Sequence, residues 1–177
     1  NIIVPSTPMK SKPCEKSELE TECLFGEKVN IKDKYLDWVY CELLTDNYYG
    51  WIKKKSIGKL NEPSHRVHII RSFVYKNDNE KSKCIFYLPM GSKLSVLNIE
   101  SNWSKIHLPD KNGTQIGFVP STHIVEIEHT IHDWVSKAEQ LVGTPYKWGG
   151  RDTLGIDCSA LLQLSYENFG FNIPRNT

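Results

Sequence analysis

The sequence predicts a mainly β chain made of two copies of one small module, followed by the helical opening of an α+β unit. Three observations carry this. Shifted against itself by 65 residues, the chain aligns Gly26 with Gly91, Val29 with Leu94, Ile31 with Val96, Trp38 with Trp103 and Leu43 with Leu108. Past a small insertion, Gly50-Trp51-Ile52 aligns with Gly117-Phe118-Val119. At Ile131 the apolar period changes from two to three or four, and further on a glycine-rich loop runs straight into an apolar segment headed by Cys158.

Within the repeat, Lys28 to Lys32 and Lys93 to Leu97 alternate as strands do. Asp46-Asn47 and Lys111-Asn112-Gly113 supply turn residues between strands. A glycine before an alternating strand, a tryptophan opening the next and Gly-aromatic-aliphatic opening another resembles bacterial SH3-like barrels. That pattern rests on Gly26, Trp38 and Gly50-Trp51-Ile52, and again on Gly91, Trp103 and Gly117-Phe118-Val119. Trp38, Trp51, Trp103 and Phe118 are expected in the barrel cores. Asn61-Glu62-Pro63-Ser64 reads as the linker, because proline restricts its neighbour and small polar residues favour turns. His65 and His68 alternate in the following strand without a carboxylate or cysteine at ligand spacing, so they are read as strand residues and no metal site is assigned. The units are then 1–62 with an N-terminal extension, 63–127, and 128–177.

The third unit begins with a helix. Ile131, Trp134, Val135, Ala138, Leu141 and Val142 form one stripe over about three turns. Asp133 suits its positive end, and Gly143 followed by Pro145 is a stop signal. Then come Gly143-Thr144-Pro145-Tyr146-Lys147-Trp148-Gly149-Gly150-Arg151 and, after Ile156, Asp157-Cys158-Ser159-Ala160. A second helix is predicted from Cys158 through Phe169, ended by Gly170, apolar nearly all round and therefore buried. A cysteine in a first helical turn is suited to nucleophilic attack, because unpaired amides and the helix dipole favour the thiolate. Asp157 can cap that helix, and the adjacent glycines allow close approach of a substrate backbone.

Other motifs fail. Gly150 to Gly155 has the outer spacing of a phosphate loop, but Ile156-Asp157 follows where Lys-Ser/Thr is required, and no HExxH is present.

Gly-Thr-Pro-Tyr-Lys-Trp-Gly-Gly, then Asp157-Cys158-Ser159, then Ile173-Pro174-Arg175 closely resembles the NlpC family of papain-like cell-wall cysteine endopeptidases. The fold class implied is two small SH3-like β-barrels followed by the N-terminal, helical part of a papain-like peptidase domain. The resemblance implies hydrolysis of the γ-D-glutamyl bond to diaminopimelate or another L-diamino acid in peptidoglycan stem peptides, without metal or organic cofactor. It makes Cys158 the nucleophile and places the Tyr146 hydroxyl near the developing oxyanion. It makes Asp157 and Ser159 substrate-contacting and Trp148 an aromatic wall. It further implies that Glu27 and Tyr48 of the first module hold the free amino terminus of an L-Ala-γ-D-Glu peptide. Ala160 departs from the family's usual glycine.

The family's basic histidine lies downstream of the cysteine, whereas His65, His68, His107, His123, His129 and His132 all precede Cys158. A thiol without a base attacks poorly at neutral pH, so these 177 residues alone are expected to be inactive. The expectation is that the protein continues past Thr177 or that the completing part is a separate chain. A catalytically inactive wall-binding protein acting through the SH3-like modules is the alternative function.

With 22 basic against 21 acidic side chains there is no cationic field for nucleic acid. No apolar run approaches a membrane span. Five cysteines, an odd number without CxxC spacing, fit a reducing, cytoplasmic setting; the alternative is a secreted or wall-associated protein after signal removal.

Overall fold

The computed structural model describes residues 1–109, 115–130, 133–167 and 173–175. The first module contains β1 (Ser6–Lys10), β2 (Leu19–Leu24), β3 (Val29–Tyr35), β4 (Trp38–Leu43) and β5 (Tyr48–Lys53), in the antiparallel order β2-β1-β5-β4-β3. After an irregular linker come β6 (His65–Val67), β7 (Arg71–Tyr75), β8 (Cys84–Pro89), β9 (Lys93–Leu94), β10 (Val96–Glu100), β11 (Trp103–His107), β12 (Ile116–Pro120) and β13 (Ile124–Glu126). Their main sheet runs β10-β11-β12-β7-β8, and β13-β6-β9 forms a second, three-stranded sheet.

The repeat read in the sequence is a repeat of backbone geometry. The first sheet, with β7, β8, β10, β11 and β12 substituted for β1 to β5, becomes the second. Register irregularities recur at Met9/Lys10 and Val74/Tyr75, and at Ile31/Asp33 and Val96/Asn98. Gly26 and Gly91 have φ of 81° and 86°, and the turn residues Leu36 and Ser101 have φ of 51° and 52°. One inward position in each of β5 and β12, Gly50 and Gly117, has no room for a side chain. A Cβ on Gly50 would lie 2.4 Å from Met9 Cγ, and one on Gly117 would lie 2.6 Å from Val74 Cγ1.

That same alternation corrects the aromatic expectation. With Gly50 and Ile52 turned inward, Trp51 is turned outward and lies 5.3 Å from Tyr40, ring to ring. Phe118 likewise sits between inward Gly117 and Val119, and Trp103 meets Tyr75 edge-on on the outer face. Of the four aromatics assigned to cores, Trp38 is buried, roofed by the Lys53 ammonium 4.0 Å above its ring. The alternating strands β3 and β10 are exposed along most of their length, including Ile31, Leu97 and Ile99, because both are sheet edges. The predicted turn at 111–113 lies outside the described residues.

The modules interlock. Phe25 of the first is buried in the core of the second among Val67, Leu88, Leu94 and Ile106. The Lys93 amide donates to the Phe25 carbonyl at 2.8 Å, and a Cβ on Gly26 would fall 2.0 Å from the Lys93 oxygen.

The third unit packs against both. Helix α1 (Trp134–Gln140) is shorter than predicted. Asp133 caps it by accepting the Ser136 amide, Gly143 follows its end at φ 87°, and Ile131 lies outside the described residues. Its apolar stripe is only partly inward: Leu141 is buried, while Val135 and Val142 are exposed. The buried helical position is Lys137, whose ammonium donates to the His68 carbonyl at 2.8 Å. His68 therefore lies just past β6 as a junction residue rather than within the strand.

A two-stranded hairpin, β14 (Arg151–Asp152) and β15 (Gly155–Ile156), precedes helix α2 (Cys158–Glu167). Phe169 and Gly170 lie outside the described residues. This helix is not buried on all sides. Ala160 and Leu164 join Leu24, Met90, Leu141 and Ile156 in a core shared by all three units, while Leu161 and Leu162 are exposed. Among the described residues no helix is long and apolar enough to cross a membrane.

Candidate active site

The loop that follows Gly143 is laid along β15. Ile156 donates its amide to the Pro145 carbonyl at 3.1 Å, and Lys147 donates to the Ile156 carbonyl at 3.0 Å, which brings Tyr146 beside the start of α2. Gly150 must be glycine, since a Cβ there would lie 2.2 Å from the Gly155 carbonyl oxygen. Asp157 then joins loop to helix. Its Oδ1 accepts the Ala160 amide and its Oδ2 the Gly149 amide, both at 2.9 Å, so it is the helix cap that the sequence suggested.

Cys158 is exposed at the first position of α2, and all five cysteines are free thiols. It lies between two concavities. One, of about 220 Å³, is polar and includes Glu18, Glu20, Tyr48, Trp148 and Ser159. The other, of about 310 Å³, is lined by Leu141, Val142, Ile156 and Leu161. Tyr146 and Asp157 border both. Tyr146 and Trp148 are 66% and 65% exposed, so they are walls of the groove and not core residues. No histidine among the described residues lines either concavity.

Burial tends to push the Asp157 carboxyl up, but the Arg175 guanidinium and the Ala160 and Gly149 amides outweigh it and hold the group below the usual carboxylate range. Arg175 makes a two-pronged contact, each terminal nitrogen donating to one Asp157 oxygen at 2.6 Å.

The structure gathers Cys158, Tyr146, Asp157, Ser159, Trp148 and Tyr48 around one groove. It does not bring Glu27 there. That side chain is 1% exposed and accepts from both terminal nitrogens of Arg151, at 3.1 and 2.9 Å, and from the Leu24 amide at 2.7 Å. Burial would raise its pKa, yet Arg151 and Lys93 hold it below the ordinary glutamate value. The glutamates lining the groove are Glu18 and Glu20, and Glu20 accepts the Tyr48 hydroxyl at 3.0 Å. Glu18, Glu20 and Glu22 recur at every second position, the spacing of one strand face, and this was the available sequence signal. Glu22 serves the junction: it accepts the Arg151 and Asp152 amides at 3.0 Å each and pairs with Lys147.

Comparison with known proteins agrees with this geometry. Residues 11–57 match the bacterial dipeptidyl-peptidase SH3 domain, and residues 143–177 match the NlpC/P60 family. The chain is 27% identical over 180 residues to a gamma-D-glutamyl-L-lysine dipeptidyl-peptidase of Bacillus subtilis, covering 92% of this chain and 57% of that protein. It is 28% identical over 184 residues to the protein of the same name from Bacillus cereus, covering 91% and 54%. The chain thus spans little more than half the length of these relatives. The crystal structure of an NlpC/P60 family protein from Bacillus cereus superposes with a TM-score of 0.84 at 22% identity, over 98% of this chain and 73% of that one, and so shares its fold. Residues 143–177 thus match the NlpC/P60 family, behind a match to the bacterial dipeptidyl-peptidase SH3 domain at residues 11–57.

Proposed function

We propose that the protein is a cysteine peptidase of peptidoglycan peptides that cuts the γ-D-glutamyl bond to an L-diamino acid. The observation that carries this reading is the exposed Cys158 in the first turn of α2, lining one groove together with Tyr146, Trp148, Glu18 and Glu20. Cys158 Sγ attacks the γ-carbonyl to form a thioester, the diamino acid leaves with a proton on its amine, and water then releases the acyl part. The Tyr146 hydroxyl borders the position of the developing oxyanion. Trp148 walls the acyl side, with Asp157 and Ser159 flanking the nucleophile.

The free amino terminus of an L-Ala-γ-D-Glu acyl group is assigned to Glu20 and Tyr48, and Glu27 is withdrawn from that role because Arg151 already saturates it. No histidine of residues 1–177 is assigned as the base, and this stretch alone is proposed to react at Cys158 without turnover. No cofactor enters the scheme. The working units are 1–62, 63–127 and 128–177, and the setting is the cytoplasm, on recycled free peptides.

The test is hydrolysis of L-Ala-γ-D-Glu-L-Lys, or its diaminopimelate analogue, by the full-length protein. Release of the free diamino acid is expected, with loss on Cys158→Ala. Glu20→Gln should raise KM about tenfold for the free-amino peptide, since a charge-assisted contact contributes about 1.5 to 3 kcal/mol, and should leave an N-acetylated peptide unaffected. Absence of cleavage, or Glu20→Gln acting equally on both peptides, would overturn the assignment. The outward aromatics Tyr75, Trp103 and Phe118 favour the alternative of a wall-binding protein. Retained binding to wall fragments with neither cleavage nor alkylation of Cys158 would select it.

A further inference from the structure

The guanidinium of Arg175 does more than neutralise Asp157. The side chain is 2% exposed, and its remaining donors reach in two other directions. Nε donates to Thr21 Oγ1 at 2.8 Å, and Nη1 donates to Ser159 Oγ at 2.5 Å. Thr21 lies in β2 of the first module and is fully buried. Ser159 Oγ in turn donates to Asp157 Oδ1 at 3.2 Å. One planar cation thus holds the residue before Cys158, the residue after it and a strand from another unit.

We propose that Arg175 is a positioning residue that ties Thr21 of the first module to Asp157 and Ser159, so that the setting of Cys158 depends on the docked module. The proposal rests on the reading of Cys158 as nucleophile. Two physical effects follow from the geometry. First, Asp157 carries both the helix cap and the Gly149 amide, so an Asp157 released from Arg175 frees the Tyr146–Trp148 loop and the first turn of α2 together. Second, without the guanidinium, Asp157 keeps its amide bonds but loses its countercharge next to Cys158, and a like charge disfavours a neighbouring thiolate. Thr21 adds direction: its hydroxyl fixes the guanidinium plane from the side of the module. A lysine retains the charge but cannot make the two-pronged contact and reach Thr21 at once.

The experiment measures alkylation of Cys158 by iodoacetamide from pH 6 to 10, with the modified peptide identified by mass spectrometry so that exposed Cys14 and Cys84 do not contribute. Arg175→Gln is expected to slow the reaction about tenfold at pH 7, the order of effect of one nearby charge, with the deficit closing as pH rises. Arg175→Lys should recover most of the rate at pH 7. Thr21→Val, which leaves the charge in place, should slow alkylation about threefold at every pH, a loss of alignment expected to correspond to about 0.6 kcal/mol. A purely structural role would lower thermal stability and leave the pH profile unmoved. Should Arg175→Gln fail to fold, the other two variants decide. Wild-type profiles in both of them, or an Arg175→Gln profile identical to wild type, would overturn the proposal. Alkylation needs no peptide, so failure to cleave γ-D-glutamyl substrates would strike the peptidase reading and leave this result standing.

Discussion

The two β modules share a chain path down to their irregularities, yet among the described residues only the first reaches the Cys158 groove. The difference lies in what the same strand carries. In both modules the second strand pairs in one register, with Met9 opposite Thr21 and Val74 opposite Phe86. In the first module its residues are Glu18, Leu19, Glu20, Thr21 and Glu22; in the second the equivalent residues are Lys83, Cys84, Ile85, Phe86 and Tyr87. Glu20 faces the groove, Thr21 holds Arg175 and Glu22 accepts the hairpin amides. Phe86 instead lies 5.8 Å from Phe25 at the joint between modules, and Tyr87 donates to Asp152 at 2.7 Å. The shared topology supplies a scaffold, and one edge strand decides which module forms part of the site and which acts as a brace.

The sharpest way to break this comparison is at Glu27 and its counterpart Ser92. Their backbones are superimposable in their bonding: Glu27 and Ser92 each donate to the carbonyl three residues back at 3.2 Å, and each accepts an amide, from Ile2 and Val67, at 2.9 Å. Their side chains have opposite duties. Glu27→Gln keeps the volume but strands the Arg151 charge in a fully buried place. A loss of about 3 to 5 kcal/mol is expected in urea unfolding, the largest effect of any substitution considered. Replacing Glu27 and Arg151 together by leucine and methionine should recover most of it, because the desolvation of both ions is then avoided. If Glu27→Gln alone costs less than about 1 kcal/mol, the junction is not held by this pair.

The third unit is fastened to the modules by different chemistry, and pH should separate the two fastenings. On the first module the junction uses carboxylates. Glu27 and Asp157 have folded pKa values below their ordinary ones, so their contribution is complete above the unfolded values, 4.5 and 3.8, and is lost only as pH falls below these. On the second module, beside the Tyr87 bond to Asp152, it uses imidazole where α1 docks. The Thr122 carbonyl can only accept, so His68 Nε2 carries the proton, and Nδ1 faces the Lys137 ammonium at 3.3 Å. Burial, with Lys137, Arg66 and His129 nearby, pushes the His68 pKa down from 6.5, against the pull of the Thr122 carbonyl. Burial and His68 do the same to His123, while Asp133 is the acid acting on Lys137. A depressed base contributes stability that is full above its unfolded pKa and falls as pH drops through 6.5. Protection factors of the α1 amides, taken relative to intrinsic exchange at each pH, should therefore fall between pH 6.5 and 5, while those of Arg151 and Asp152, whose amides bond Glu22, hold. An equal fall in both sets would show one cooperative junction.

The sequence carried the repeat, the helix caps at Asp133 and Asp157, the stop at Gly143 and the placing of Cys158, because each depends on neighbours along the chain. What it concealed depends on partners far away. Glu27 was assigned to a substrate amine because its actual partner, Arg151, is 124 residues distant. Glu20 carries no local signal beyond its alternation with Glu18 and Glu22, because its place at the groove depends on β2 meeting the Cys158 loop. Arg175 was visible as part of a motif, but nothing local indicates that Thr21, 154 residues earlier, receives its Nε. The outward turn of Trp51 and Phe118 could have been read, since inward Gly50 and Gly117 fix the phase of the alternation.

The smallest expected effect tests the other half of the Glu27–Ser92 comparison. Ser92 is fully buried, and its hydroxyl has no hydrogen-bond partner among the described residues. The backbone at this position is held by the Pro89 and Val67 bonds, which do not involve the side chain. Among the described residues nothing bonds the Ser92 side chain as Arg151 bonds that of Glu27, so the hydroxyl keeps its desolvation cost without a compensating bond. Ser92→Ala should therefore stabilise the protein by about 0.5 to 1 kcal/mol, seen as a rise in Tm of about 2 °C, with peptide hydrolysis and Cys158 alkylation unchanged. The sign is the informative part. A loss of stability would mean that the Ser92 hydroxyl is bonded after all, and that the second module has its own polar anchor at the position where the first holds Arg151.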